Sequence, residues 1–355
     1  MYLPQAALDV IKIFTLGAIS FIVAFLLTPF LTHFLYKYKL WRKEVRQKAV
    51  DGGGVAIFQK FHKDKETNVP RMGGILIWAT VLIIISFFWL LSKITDIWWL
   101  NKLNFLSRDQ TWLPLFALLA ASFLGLIDDI MQTLKKGKYI AGGLKLSQRI
   151  FLVGLIGLLG GWWFFYKLGW SSLHVPGIGS FEIGIWYIPI FIVVMLATYS
   201  GGVIDGLDGL AGGTFASIFA AFAGIALFLD QINIAAFCTV ILGALLAFLW
   251  FNIPPARFYM GESGIMGLCA TLTVIAFLTD SVLVLPIIAF LLVIESASVI
   301  IQLLSKKFRH KQIFLAAPIH HHFEGKGWPH YKITMRFWVI GALAAIVGVT
   351  IRLLG

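Results

Sequence analysis

Two adjacent carboxylates end an apolar run in the segment LGLIDDI, at Asp128 and Asp129. If the run is a helix, its C-terminus carries a partial negative charge that disfavours carboxylates, so the pair costs stability unless a cation or a substrate compensates for it. The alternative is a solvated pair that faces Lys135 and Lys136. The pair is therefore a candidate site for a cation or a charged substrate.

A second acidic pair lies among glycines in SGGVIDGLDGLAGG, where Asp205 and Asp208 would share one face if a helix began there. The surrounding glycines are Gly201, Gly202, Gly206, Gly209, Gly212 and Gly213. Glycine lets the backbone approach a ligand closely, and helix N-termini bind phosphate groups. The segment indicates a nucleotide or phosphate site, unless the glycines serve close helix packing and Asp208 caps a helix.

A third cluster is WFNIPPARFYMGESG, in which Pro254 and Pro255 end a helix. Asn252, Tyr259 and Glu262 could present an amide, an aromatic ring and a carboxylate to one ligand. Glu262 at a helix N-terminus would also stabilise the helix dipole without any other role. Both interpretations of Glu262 remain open at this point.

Three consecutive histidines, His320, His321 and His322, stand in the fourth cluster, APIHHHFEGKGWPH. Neighbouring side chains cannot all point one way, and the spacing is not that of a structural zinc site. Hydrogen bonds or charge contacts with phosphate are favoured over metal ligation.

The elements that carry these clusters are apolar. Hydrophobic residues make up 59% of the chain and charged residues 13%, against about 45–50% and about 25% in soluble domains. Runs long enough to cross a bilayer recur along the whole sequence. The composition predicts an all-α, polytopic integral membrane protein with a single integral membrane domain over residues 1–355. The ten predicted spans cover residues 11–35, 73–91, 112–127, 150–166, 185–199, 209–229, 234–251, 265–278, 282–304 and 333–351.

The net charge of +12 reflects membrane topology and predicts no nucleic-acid partner. Of the 29 Lys and Arg residues, 23 fall in odd-numbered loops, and basic loops are cytoplasmic. Both termini are then expected outside. The acidic and histidine clusters fall on the same cytoplasmic side, which suits Mg²⁺-assisted phosphoryl transfer to a lipid at the membrane surface.

Glu295 is an isolated acid inside the predicted span 282–304. A carboxylate in such a position usually marks a functional pathway. The alternative is a buried carboxyl group that is hydrogen-bonded to a neighbouring helix.

The motifs together resemble those of the phospho-N-acetylmuramoyl-pentapeptide transferase family. PRMGG, the double Asp, IDGLDGL, WFN…MGES and APIHHHFEGKGW…RFW follow in the family's order, from about residue 69 to the C-terminus. The resemblance implies a ten-helix enzyme of the bacterial inner membrane, often a homodimer. It would use Mg²⁺ to join undecaprenyl phosphate to UDP-MurNAc-pentapeptide, giving lipid I and UMP for peptidoglycan biosynthesis.

The resemblance also implies roles for single residues. Asp128 and Asp129 match catalytic positions, one of them the base that deprotonates or orients the lipid phosphate, and Glu262 takes the position of a Mg²⁺-binding Asp. The positions associated with nucleotide binding are Asp205, Gly206, Asp208, Asn252 and Tyr259, with the Tyr259 ring expected to stack on uracil. The remaining matches are Gln302, His321 and His322, with His320 and Lys65 as further catalytic candidates.

Five residues depart from the family pattern. Glu262 replaces an Asp, Gly202 an Asn, Val69 a Thr, Gln132 a Lys, and Tyr259 a Phe. These changes leave room for a related polyprenyl-phosphate GlcNAc-1-phosphate transferase, although the histidine motif argues against it. A lipid or nucleotide transporter would instead require charged residues near the membrane midplane and paired broken helices. A scaffold protein would need no such clusters.

Overall fold

The chain folds into a helical bundle, because an apolar segment in a bilayer can satisfy its backbone groups only within a helix or a closed barrel. The computed structural model describes residues 4–43, 67–108, 110–136 and 142–355. The helices of this part are α1 Gln5–Lys37, α2 Ile75–Ile94, α3 Trp98–Leu103, α4 Trp112–Thr133, α5 Leu146–Trp162, α6 Tyr187–Ser200, α7 Leu210–Phe228, α8 Ile232–Asn252, α9 Glu262–Leu278, α10 Leu285–Ile288, α11 Phe290–Arg309, α12 Ile319–Gly325 and α13 His330–Leu354. The all-α prediction is confirmed.

Each predicted span overlaps one of the longer helices. Within the described ranges, eight helical segments are long and apolar enough to cross a membrane, while α9 is apolar but only 17 residues long. Helix α11 carries Lys306, Lys307 and Arg309 in its last turn. The count of ten spans and the outward position of both termini stay predictions.

The predicted span 282–304 was wrong in its bounds. The chain turns after Leu278, forms the short helix α10, breaks at Ala289 and then runs as α11 to Arg309. The break lies between two apolar stretches, so hydrophobicity did not reveal it. Glu295 consequently lies near the start of a separate helix.

Helices α7, α8 and α9 form the centre of the bundle, and every residue of α9 after Glu262 is buried. Helix α4 packs along α9, and their ends approach so closely that a Cβ at Gly125 would lie 2.1 Å from the Glu262 carbonyl oxygen. This contact fixes the C-terminus of α4 against the N-terminus of α9.

A small antiparallel hairpin covers the other end of the bundle. Strands β1 Ser172–Val175 and β2 Gly179–Glu182 pair with Ser172 opposite Glu182. The hairpin lies between α5 and α6 in the sequence, whereas the N-terminus of α5 and the C-terminus of α6 both reach the end where α4 meets α9.

Candidate active site

Asp129 lies in the last turn of α4 and is fully buried. Its carboxylate accepts hydrogen bonds from the backbone N–H groups of Glu262, at 3.1 Å, and Ser263, at 2.9 Å. These amides belong to the first turn of α9, where N–H groups have no partner inside the helix and the helix dipole favours an anion. The N-terminus of α9 therefore compensates for the negative charge at the end of α4.

Asp128 is also fully buried and accepts three hydrogen bonds. Its Oδ1 accepts the N–H of Leu144 at 2.6 Å. Its Oδ2 accepts a hydrogen bond from Nε2 of Gln132 at 2.7 Å and lies 2.8 Å from Nη2 of Arg149. Since neither Asp128 nor Asp129 is exposed, the solvated-pair interpretation is wrong.

Glu262 is joined to Asp128 through Arg149. Nη1 of Arg149 lies 2.5 Å from Oε1 of Glu262, and the Tyr199 hydroxyl donates to Oε2 at 3.3 Å. Sequence reasoning missed Arg149 as a site residue. An arginine in the first turn of α5 faces the positive end of the helix dipole, which signals a need for a carboxylate partner.

Gln132 connects a second arginine to the acidic pair. Its carbonyl oxygen accepts hydrogen bonds from Nε of Arg42 at 3.1 Å and from Nη2 at 2.6 Å, while its amide nitrogen donates to Asp128. Arg42 is buried. A lysine at this position would have three donors and no acceptor, so it could not form the contact with Arg42. The departure from the family pattern at Gln132 thus has a defined structural role.

Asp205 approaches the same point from the loop before α7. Its Oδ2 accepts the N–H of Gly261 at 3.0 Å. Gly261 has φ +71°, and a Cβ there would lie 2.6 Å from Oδ2 of Asp129, so only glycine fits. Burial raises the pKa of the Asp205 carboxyl to about 6, although the positive charge of Arg71 acts in the opposite direction.

No helix begins at Asp205, whereas the predicted span 209–229 agrees with α7. A 3-10 turn spans Gly201–Ile204, and α7 starts at Leu210, so Asp205 and Asp208 do not share a helix face. Glycine is required in this stretch for packing as well, since a Cβ at Gly202 would lie 2.3 Å from the Ile265 Cγ2 methyl.

Asp208 and Asn252 fasten the loop after α8 to the loop before α7. Asp208 accepts the N–H of Ala256 at 3.3 Å and caps no helix, because α7 begins without a side-chain cap. Asn252 accepts the N–H of Gly209 at 3.0 Å and donates to the Phe258 carbonyl at 2.7 Å. Both side chains position the predicted nucleotide-binding loops.

Tyr259 is half-buried and holds the PRMGG segment against the site. Its N–H donates to the Pro70 carbonyl, and its carbonyl accepts the N–H of Gly73, both at 2.8 Å. Lys65, the remaining catalytic candidate of this region, lies outside the described residues.

His320 and Glu295 form a fully buried pair, with Nδ1 of the ring 2.9 Å from Oε2 of the carboxyl group. The interpretation of Glu295 as a carboxyl hydrogen-bonded to a neighbouring element is confirmed. The other ring nitrogen, Nε2, has no hydrogen-bond partner among the described residues, and a Cβ at Gly206 would lie 2.2 Å from it. The His320 ring therefore contacts the loop that carries Asp205.

The other two histidines point elsewhere, as predicted for three consecutive residues. His321 pairs with Glu324. Nδ1 of His322 accepts the N–H of Leu315 at 3.1 Å, and burial together with Lys326 lowers the pKa of this ring.

Gln302 acts on the loop before the histidines. Its Oε1 accepts the N–H groups of Ile313 and Phe314, and its Nε2 donates to the Phe314 carbonyl. The backbone of this loop satisfies the hydrogen-bonding groups of the Gln302 amide, so Gln302 holds the loop that precedes α12 in place.

Comparison with known proteins identifies the family of the chain. The Glycosyl transferase family 4 profile matches residues 111–280, which contain both acidic pairs and Glu262. A phospho-N-acetylmuramoyl-pentapeptide-transferase of Geobacillus thermodenitrificans is 34% identical over 94% of this chain and 96% of its own length. One of Lactiplantibacillus plantarum is 34% identical over 93% and 95%, and one of Levilactobacillus brevis is 37% identical over 82% and 86%. The chain therefore belongs to the phospho-N-acetylmuramoyl-pentapeptide transferase family.

Proposed function

We propose that the protein transfers phospho-MurNAc-pentapeptide from UDP-MurNAc-pentapeptide to undecaprenyl phosphate, forming lipid I and releasing UMP. The observation that carries the proposal is the convergence on Gly261 of Asp129, Asp205 and Glu262, which come from three separate motifs. The names of the relatives supply the substrate class.

The reaction exchanges one diphosphate bond for another. An oxygen of the lipid phosphate attacks the phosphorus attached to the sugar, and the bond from that phosphorus to the UMP oxygen breaks. The catalytic demand is to bring two anionic groups together and to stabilise the charge of the transition state. The positive groups near the acids, Arg71, Arg149 and the N-terminus of α9, suit that demand.

We assign the lipid phosphate to the Asp128–Asp129 pair, which would deprotonate or orient it. The nucleotide would lie at the joined loops of Asp205, Gly206, Asp208 and Asn252, with Tyr259 beside uracil. Nε2 of His320, directed at Gly206, would then donate to or accept from a diphosphate oxygen. Backbone N–H groups hold Asp129, Asp205 and Asp208, and Arg149 holds Asp128, so the substrates meet a preorganised site.

The oxygen donors fit Mg²⁺. Among the described residues, no three Asp, Glu, His or Cys side chains converge on one metal position. Mg²⁺ usually binds one or two carboxylates and completes its shell with water and substrate phosphates. Glu262, with Asp129 beside it, would hold the ion, which would neutralise charge on the diphosphate when bound.

The location follows from the charge pattern. The predicted cytoplasmic loops hold 23 of the 29 basic residues, and the site lies at the end of the bundle where those loops occur. We therefore propose a multi-pass protein of the bacterial inner membrane, with its active site on the cytoplasmic face and homodimerisation as in the family.

A second candidate is transfer of GlcNAc-1-phosphate to a polyprenyl phosphate. Two features favour it: Glu262 has a longer side chain than the family's Asp, and Ile265 fills the space beside Gly202 where the family carries an Asn. A changed polar lining would alter which sugar is accepted.

UMP release by purified protein tests both functions. The reactions contain polyprenyl phosphate and Mg²⁺ with either UDP-MurNAc-pentapeptide or UDP-GlcNAc. We expect lipid-dependent release with the muramoyl substrate alone and its loss in Asp128→Asn. The matched control is Asp230→Asn, an exposed acid at the far end of the bundle, which should leave the rate unchanged. Release with UDP-GlcNAc alone would support the second candidate, and release with neither would refute both.

A further inference from the structure

Arg149 lies between two of the site carboxylates. Its Nη2 is 2.8 Å from Oδ2 of Asp128, and its Nη1 is 2.5 Å from Oε1 of Glu262. The side chains of Arg149, Asp128 and Glu262 are 10%, 0% and 19% exposed. One guanidinium therefore neutralises part of the charge of two nearly buried carboxylates that come from different helices.

Other donors also contact these carboxylates. Oε2 of Glu262 accepts a hydrogen bond from the Tyr199 hydroxyl at 3.3 Å. Asp128 accepts hydrogen bonds from Leu144 N–H and Gln132 Nε2 in addition to Arg149. A cation that binds Glu262 directly would therefore share this carboxylate with Arg149 and Tyr199.

Arg149 would also repel such a cation. A divalent ion at Glu262 would lie within a few ångströms of the guanidinium, in a region where little water screens the repulsion. Loss of a proton from the guanidinium cannot relieve this repulsion, because arginine stays charged in proteins. Arg149 and a divalent ion thus compete for the same carboxylate.

We propose that Arg149 is the internal counter-ion of the site and sets its affinity for the divalent cation. On cation binding, Glu262 exchanges the guanidinium for the ion, while Asp128 keeps its bond to Nη2. The released Nη1 then faces the phosphates, for which the planar guanidinium is well suited. Arg149 is a positioning residue, since it acts through Asp128 and Glu262. This inference rests on the proposed cation site at Glu262.

Binding of Mn²⁺ to the substrate-free protein tests the inference without measuring activity. Free Mn²⁺ is followed by electron paramagnetic resonance for wild type, Arg149→Gln, Arg149→Lys and Glu262→Gln. We expect Arg149→Gln to bind Mn²⁺ about ten-fold more tightly, because a competing unit charge is removed. The Mn²⁺ affinity of Arg149→Lys should lie between those of wild type and Arg149→Gln, since lysine keeps the charge but lacks the planar guanidinium that contacts both carboxylates. Glu262→Gln should lose the site.

The matched control is Arg352→Gln. This arginine contacts Ser281 and Thr279 at the other end of the bundle, so Mn²⁺ affinity should not change. Equal or weaker affinity in Arg149→Gln, with loss in Glu262→Gln, would overturn the role of Arg149 and leave the proposed function standing. Absence of binding in wild type would overturn the cation site itself. If Arg149→Gln does not fold, the Arg149→Lys variant decides. An unchanged Mn²⁺ affinity in that variant would overturn the proposal, and tighter Mn²⁺ binding would support it.

Discussion

Replacing Gly206 with alanine should disable the site through a single methyl group. The new Cβ would lie 2.2 Å from Nε2 of His320 and 2.9 Å from its Cε1, whereas ordinary contacts begin at 3.4 Å. The ring must therefore retreat by about 1 Å. It cannot move freely, because Nδ1 is bonded to Glu295 and the ring packs on His321 with centroids 4.1 Å apart.

We expect kcat for UMP release to fall about 100-fold, since a displacement of about 1 Å at a catalytic group has effects of that size. Weakening of the buried contact with Glu295 should also cost about 1.5–3 kcal/mol of stability. Steady-state UMP release and thermal melting in detergent measure the two effects. The control is Gly224→Ala on α7, where no atom lies within 4 Å of the added Cβ, and activity should be unchanged. A Gly206→Ala variant with wild-type rate would refute the assignment of His320 to the site.

Three further predictions concern stability, charge and pH. Gly125→Ala should lower the free energy of unfolding by about 1–3 kcal/mol or more, the cost typical of overpacking, and so lower the melting temperature, because its Cβ would meet backbone at 2.1 Å; Gly154→Ala, with open space, should not. Glu295→Gln keeps the shape but not the charge, so kcat should fall about ten-fold, whereas exposed Glu182→Gln should be neutral; equal rates would contradict a role for the charge. Relative to Asp205→Asn, wild type should lose stability as pH rises from 3.8 to about 6, because the folded state keeps a proton that the unfolded chain releases; a rise would contradict the raised pKa of Asp205.

The sequence predicted the helical elements well, because a span in a bilayer has a strong and simple signal. Each predicted span overlaps one long helix. The break at Ala289 escaped prediction, since the stretch on both sides of it is continuously apolar and Pro286 lies in the first turn of α10 and not at the break. The start of α7 at Leu210 agrees with the predicted span 209–229. The sequence left open whether Asp205 and Asp208 share a helix face, because the glycines near Asp205 permit a 3-10 turn and loop as readily as a helix.

Sequence reasoning found the acids of the site but not the residues that hold them. It could not foresee that Arg42 and Arg149 flank Asp128, because their contacts join distant parts of the chain. Gln302 and Asn252 matched family positions, yet their amides are bound by loop backbone, a role that residue type does not reveal. One of the two interpretations of Glu295 was a buried carboxyl group hydrogen-bonded to a neighbouring helix, but the sequence did not identify its partner, His320.

The anchoring of Asp129 has a consequence for how this family can diverge. The carboxylate is held by the main-chain amides of residues 262 and 263, which every amino acid except proline supplies. Substitution of an Asp by Glu262 therefore leaves these hydrogen bonds intact. Gly261 is different, because its backbone angle and the neighbouring Asp129 oxygen exclude a side chain. Evolution can vary the residue at position 262, the proposed cation ligand, while the glycine before it stays under strict constraint.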